Sequence, residues 1–228
     1  MIFYTVFALL YVGALLFIKP SPKSFREKSI GFTENFLAIK GSLVLGLLIL
    51  TVYLFITDFT FLEPNISLYN LLVLHHPSSS DFLISQVFSN TFVHLNMIHL
   101  LSNLMLIGLF SAYERRVGLK RFLMVVFVSG VFSTLSILFY DVENTTAGIS
   151  GVAFGLAAAF FTDEKNLSFK DWVYALLLFI FLAVILSVRD FYEMQKLENI
   201  DFQIDYMGHF LGALGAIVYT RLKSLDTD

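Results

Sequence analysis

The chain has no cysteine, four prolines and one tryptophan in 228 residues, and only 14% of it is charged. Without a thiol there are no disulfides, no thiolate nucleophile and no cysteine-ligated zinc, although the absence says nothing about compartment. So few charges cannot furnish the solvated surface that a soluble domain of this length needs. A net charge of −3 offers no basic face for a phosphate backbone, so no nucleic-acid partner is expected. Internal repeats and low-complexity tracts are also lacking.

What the chain does have is apolar surface. Hydrophobic residues make up 57% of it, phenylalanine alone contributes 26, and the mean hydropathy is +0.77. Runs able to cross about 30 Å of hydrocarbon fall near 1–18, 41–58, 95–112, 121–140, 147–162, 172–188 and 205–220. The first run has no basic residue ahead of it and no small-residue cleavage site after it, so it is expected to be a retained anchor and not a signal peptide. The expected class is an all-α, multi-pass integral membrane protein, with the lipid bilayer as its solvent. The segment 19–40 is a linker between the first span and a six-helix core over 41–222.

Lysine and arginine set the orientation, because cytoplasmic loops hold their excess. All fifteen except Arg189 and Lys196 fall in 19–40, in the turn after residue 112, around Lys165 and Lys170, or at the C-terminal end. Those segments face inward, which leaves Met1 outside and Asp228 in the cytoplasm. The outward connection 59–93 carries many apolar residues and is expected to lie in the membrane interface.

Polar residues inside spans are costly, and are therefore candidates for function. Ser150 precedes Asp163 by thirteen residues and His209 precedes Arg221 by twelve, which puts the two roughly 19 and 18 Å above the inner boundary. His99 and Asn103, at i and i+4 on one helix face, bracket the same layer. His94, five residues before His99, is about 140° round the helix from it and is expected to point elsewhere. A serine and a histidine at one depth suggest a nucleophile and its base. Gly151-x3-Gly155-x3-Ala159 and Gly208-x3-Gly212-x3-Ala216 are small-residue faces along which two helices can approach closely enough for so short a side chain to reach a histidine. Metal binding is not expected, since the histidines diverge and no carboxylate sits beside them to complete a site. Ser129, Ser133 and Ser136 are expected to bond to their own helix backbone, and His75 and His76 to lie in a loop.

In this order and spacing, His94-x4-His99-x3-Asn103, Glu114-x3-Gly118, Gly148-x-Ser150-Gly151 and His209-x2-Gly212 resemble the rhomboid family of intramembrane serine proteases. The resemblance implies a six-helix rhomboid core, here with one extra N-terminal transmembrane helix. It implies Ser150 as nucleophile and His209 as base, with no cofactor. The oxyanion would be held by the Asn103 and His99 side chains and the Ser150 N–H. His94, Glu114, Gly118, Gly148, Gly151, Gly155, Gly208 and Gly212 would be structural, and Phe154 would stack on the histidine where some relatives have tyrosine. Substrates would be the transmembrane segments of other proteins, cleaved near the outer face by a monomer. A noncatalytic member that binds and escorts membrane clients is the alternative. Asp205, at i−4 from His209, invites a triad, but the resemblance points to a dyad without an acid and leaves Asp205 an interfacial carboxylate.

Overall fold

The computed structural model describes residues 32–60, 64–164, 166–194 and 204–223. The expected anchor 1–18 lies outside the described residues, as does most of the 19–40 segment. The end of that segment is not plain linker: it forms a helix, α1 (Phe32–Ala38). There follow α2 (Lys40–Ile56), α3 (Ile66–Leu72), the short strand β1 (Leu74–His75), α4 (Gln86–Ser89) and a 3-10 turn at Asn90–Phe92. Next come α5 (Met97–Val117), α6 (Leu119–Thr134) with a 3-10 continuation to Phe139, β2 (Thr145–Thr146), α7 (Ser150–Thr162), α8 (Phe169–Met194) and α9 (Tyr206–Leu222).

The ends of these helices follow from local chemistry. Asn96 caps α5 by accepting the His99 N–H at 2.8 Å, and Asn65 caps α3 from Ser67 and Leu68. α5 stops at Gly118, whose φ of +82° lies in the region glycine tolerates best, and α6 starts immediately after it. Ser168 and Asp171 form a reciprocal cap at the start of α8, and the Ser168 bonds hold the Asp171 carboxyl below its ordinary range.

α7 is the central helix. Its sequence is mostly small residues, nearly all of them buried, and it packs against α5, α6, α8 and α9. A helix built from glycine and alanine lets four neighbours crowd around it. The sequence expectation of a span from 147 needs correcting, because residues 147–149 are not helical and α7 begins at Ser150. Thirteen residues rise only about 20 Å, short of a full crossing. Among the described residues two helices, Met97–Val117 and Leu119–Phe139, are long and apolar enough to cross a membrane by themselves.

The connection 59–93 is folded, and Gln86 organises it. Its amide is buried, accepts from the N–H groups of Leu83 and His75, and donates to the carbonyls of Asp81 and Leu71. His75 is therefore not a loop residue: it sits in β1, paired antiparallel with Thr145, and its Nε2 meets the Asn70 carbonyl at 2.9 Å. Ile66, Leu71, Ile84 and Phe88 on the same connection are exposed.

Two buried carboxylates tie helix ends together at the opposite end of the bundle. Glu114 accepts from Gly41 N, Ser42 N and Ser42 Oγ, each at 2.7 Å, and so caps α2 from α5. Asp163, just past α7, pairs with Arg121 and accepts the Tyr113 hydroxyl at 2.6 Å. Removing a buried carboxylate that satisfies three donors orphans all of them. Glu114→Ala should therefore cost about 2–4 kcal/mol, whereas Ser42→Ala, which leaves both backbone bonds in place, should cost about 1 kcal/mol. Thermal unfolding in detergent checks the order, and equal losses would contradict it.

Candidate active site

Ser150 is the first residue of α7, and His209 lies in the first turn of α9. The structure brings them together: His209 Nε2 lies 2.8 Å from Ser150 Oγ. The histidine is buried and the serine half-buried. This approach depends on glycine. A Cβ at Gly212 would strike the Gly151 carbonyl, and one at Gly155 would meet Ser129 and come within 2.9 Å of the Gly212 carbonyl. The backbones of α7 and α9 therefore touch along the small-residue faces seen in the sequence.

The imidazole is fixed from the side as well. Phe154, one turn along α7 from Ser150, stacks on His209 with ring centres 4.4 Å apart and planes 12° from parallel. Phe179 of α8 meets Phe154 edge-on at 5.0 Å. Phe179 has no signal in sequence, being one aromatic among many on an apolar helix.

His99 and Asn103 sit in the first two turns of α5 and face the loop that leads into Ser150. A Cβ on Gly148 would lie 2.8 Å from His99 Nε2 and 3.7 Å from Asn103 Nδ2. Gly148 also has φ of +111°, so both backbone conformation and the histidine ring exclude a side chain there. Its N–H donates to the Asn90 carbonyl, which holds the loop in place. The Asn103 amide is fully buried, and neither its nitrogen nor its oxygen has a hydrogen-bond partner among the described residues. Such groups are rare in native proteins, and each calls for an explanation. No side chain caps α7, so the N–H groups of its first turn, Ser150's included, are unclaimed by a cap.

Three sequence expectations change here. His94 does not point away from His99: α5 starts at Met97, so helical spacing does not apply, and the two rings lie 4.9 Å apart. His94 is buried, with Nδ1 at 3.1 Å from the Phe92 carbonyl. Ser136 does not bond its own helix but donates to Asp205 Oδ2 at 2.6 Å, and Ser129 has no hydrogen-bond partner among the described residues. Asp205 caps α9, its carboxylate accepting from Gly208 N and from the Ser136 and Tyr140 hydroxyls.

A family model, the Rhomboid domain, matches residues 82–225. No curated protein matches the chain. The match covers more than half the chain and every element described from α4 onwards, so the protein belongs to the rhomboid family and is an integral membrane protein. That family contains intramembrane proteases and also inactive members.

Because Gly212 abuts backbone and not a flexible side chain, Gly212→Ala must push α9 off α7. The expected loss is about 1–3 kcal/mol, accompanied by loss of serine reactivity. Gly118→Ala, where a Cβ meets nothing within 4 Å but φ is +82° and ψ 164°, should cost about 1–3 kcal/mol of backbone strain and leave reactivity intact. Melting temperature and serine labelling, measured on both variants, check this contrast.

Proposed function

We propose that the chain is an intramembrane serine endopeptidase that cleaves transmembrane segments near the outer face, using a Ser150–His209 dyad. The observation that carries this reading is the 2.8 Å contact between His209 Nε2 and Ser150 Oγ, in a chain of a family that contains proteases. In the first step Ser150 Oγ attacks a peptide carbonyl while His209 Nε2 takes the hydroxyl proton, which it then gives to the leaving amine. Water, activated by the same imidazole, hydrolyses the acyl-enzyme and restores the serine.

Charge develops on the carbonyl oxygen in both tetrahedral intermediates, so fixed donors aimed at that point lower the barrier. The buried Asn103 amide and the uncapped first turn of α7 supply such donors, with the His99 ring beside them. An amide left unpaired at rest is explained if its partner arrives only with the substrate. Phe154 and the glycines Gly148, Gly151, Gly155, Gly208 and Gly212 then act by holding the geometry, while His94, Glu114 and Gly118 serve the fold.

The accompanying topology has residues 1–18 as an anchor, 19–40 in the cytoplasm with α1 at its end, and a six-helix core over 41–222 that acts as a monomer. Met1 lies outside and Asp228 inside. The exposed apolar residues of 59–93 rest in the interface. Since the chain has no cysteine, single cysteines placed at 63, 143 and 224 can be labelled from one side of the membrane without background. Labelling of the first two but not the third by an impermeant reagent in intact cells supports the orientation, and the reverse pattern overturns it.

The catalytic reading is tested by labelling the purified protein with a fluorophosphonate. The parent should label and both Ser150→Ala and His209→Ala should not, while Asn103→Ala should lower the labelling rate by about 10²–10³ with the fold unchanged. A folded parent that does not label favours the noncatalytic escort of membrane clients.

A further inference from the structure

Asp205 forms a junction between α9 and the end of α6. Its Oδ1 accepts the Gly208 N–H at 2.6 Å and the Tyr140 hydroxyl at 2.8 Å, and its Oδ2 accepts the Ser136 hydroxyl at 2.6 Å. Its own carbonyl accepts the His209 N–H at 3.0 Å. Ser136 is fully buried, and Tyr140 and Asp205 are half-buried. Gly208 is shaped to this arrangement, because a Cβ there would collide with the Asp205 carboxylate. The carboxylate thus folds over the first turn of α9, and two hydroxyls from a different helix hold it there.

That turn carries His209. The start of α9 is held by this junction on one side and by the Gly212 contact with α7 on the other. Helix starts otherwise fray, and a misplacement of about 1 Å in a reacting group can cost about 10² in rate. A short serine hydroxyl cannot follow an imidazole that drifts.

We propose that Asp205 is a positioning residue for His209: locked by Ser136 and Tyr140, it fixes the first turn of α9 and thereby holds the imidazole against Ser150. The proposal rests on the protease reading for its catalytic consequence only. It differs from a triad in where the carboxylate acts. In a triad the acid bonds the imidazole, so Asp205→Asn would be the most damaging change and the two hydroxyls would be dispensable. In the arrangement here, Asn is itself a good helix cap, so Asp205→Asn should be mild, and loss of the hydroxyls should matter.

The test uses the full-length protein in detergent, with Ser136→Ala, Tyr140→Phe, the double variant, Asp205→Asn and Asp205→Ala. Two readouts are taken: the rate of fluorophosphonate labelling, and the ¹⁵N resonance of His209 Nε2 in histidine-labelled protein, assigned by its loss in His209→Ala. The double variant and Asp205→Ala should label about tenfold or more slowly, with the His209 resonance moved towards that of a solvent-exposed ring, and Asp205→Asn should stay within a few-fold of the parent. Tyr140→Phe, the least disruptive change, should show a smaller shift of the same kind even if the double variant does not fold. Unchanged rate and resonance in folded Tyr140→Phe and Ser136→Ala would overturn the proposal, as would Asp205→Asn being the worst of the set. If the parent itself does not label, the protease reading fails alone, and the His209 resonance still decides whether Asp205 positions the ring.

Discussion

The site depends on how closely two helix backbones approach. A serine hydroxyl extends barely beyond its own backbone, so it can reach a histidine on another helix only if the two helices touch without side chains between them. Gly151, Gly155 and Gly212 make that contact between α7 and α9, backbone carbonyl against α-carbon. In hydrocarbon, apolar burial provides little drive for helices to associate, and close van der Waals packing of small residues takes over. The same feature therefore holds the bundle together and sets the 2.8 Å separation of Ser150 and His209. Phe154 and Phe179 then restrict the ring from the side.

Around this contact the polar groups divide into two kinds. Glu114, Asp163, Gln86 and Asp205 are each hydrogen-bonded to two or more donors or acceptors from other elements. They join helix ends and loops to the bundle, where unpaired backbone groups would otherwise face hydrocarbon. Asn103 is the contrasting kind, buried and unpartnered beside the loop that precedes Ser150. The Asn103 amide lies where the proposed function puts the oxyanion, so the reading that assigns it a partner is the catalytic one.

Much of this was legible in the chain. Apolar runs located the long helices from α2 to α9, although α5 and α8 continue past the expected ends to Val117 and Met194, because length and hydropathy are nearly all that a lipid-embedded helix requires. Glycine spacing identified the α7–α9 face, since small residues four apart have few other uses. Two of the corrections share a cause, which is that a helix was extended past its true start. His94 was assigned a helix face although α5 begins at Met97, and residues 147–149 were included in a span that starts at Ser150. Helix starts are decided by caps and glycine dihedrals, to which a hydropathy count is blind. Gly148 carried the only sequence hint of that break.

The partners of Asp205 lay beyond reach in a different way. Ser136 and Tyr140 are 69 and 65 residues distant from it in sequence, and each reads locally as an ordinary residue near the end of an apolar helix. The sequence by itself determined which segments are helical, which faces are small, and which polar residues occupy the bundle, because these follow from the composition of short stretches and the solvent around them. Only the tertiary structure decided which carboxylate meets which hydroxyl, that Asp205 caps a helix and bonds Ser136 and Tyr140, and that the Asn103 amide has no partner among the described residues. Those outcomes depend on distances between segments far apart in the chain, and such distances arise only when helices pack.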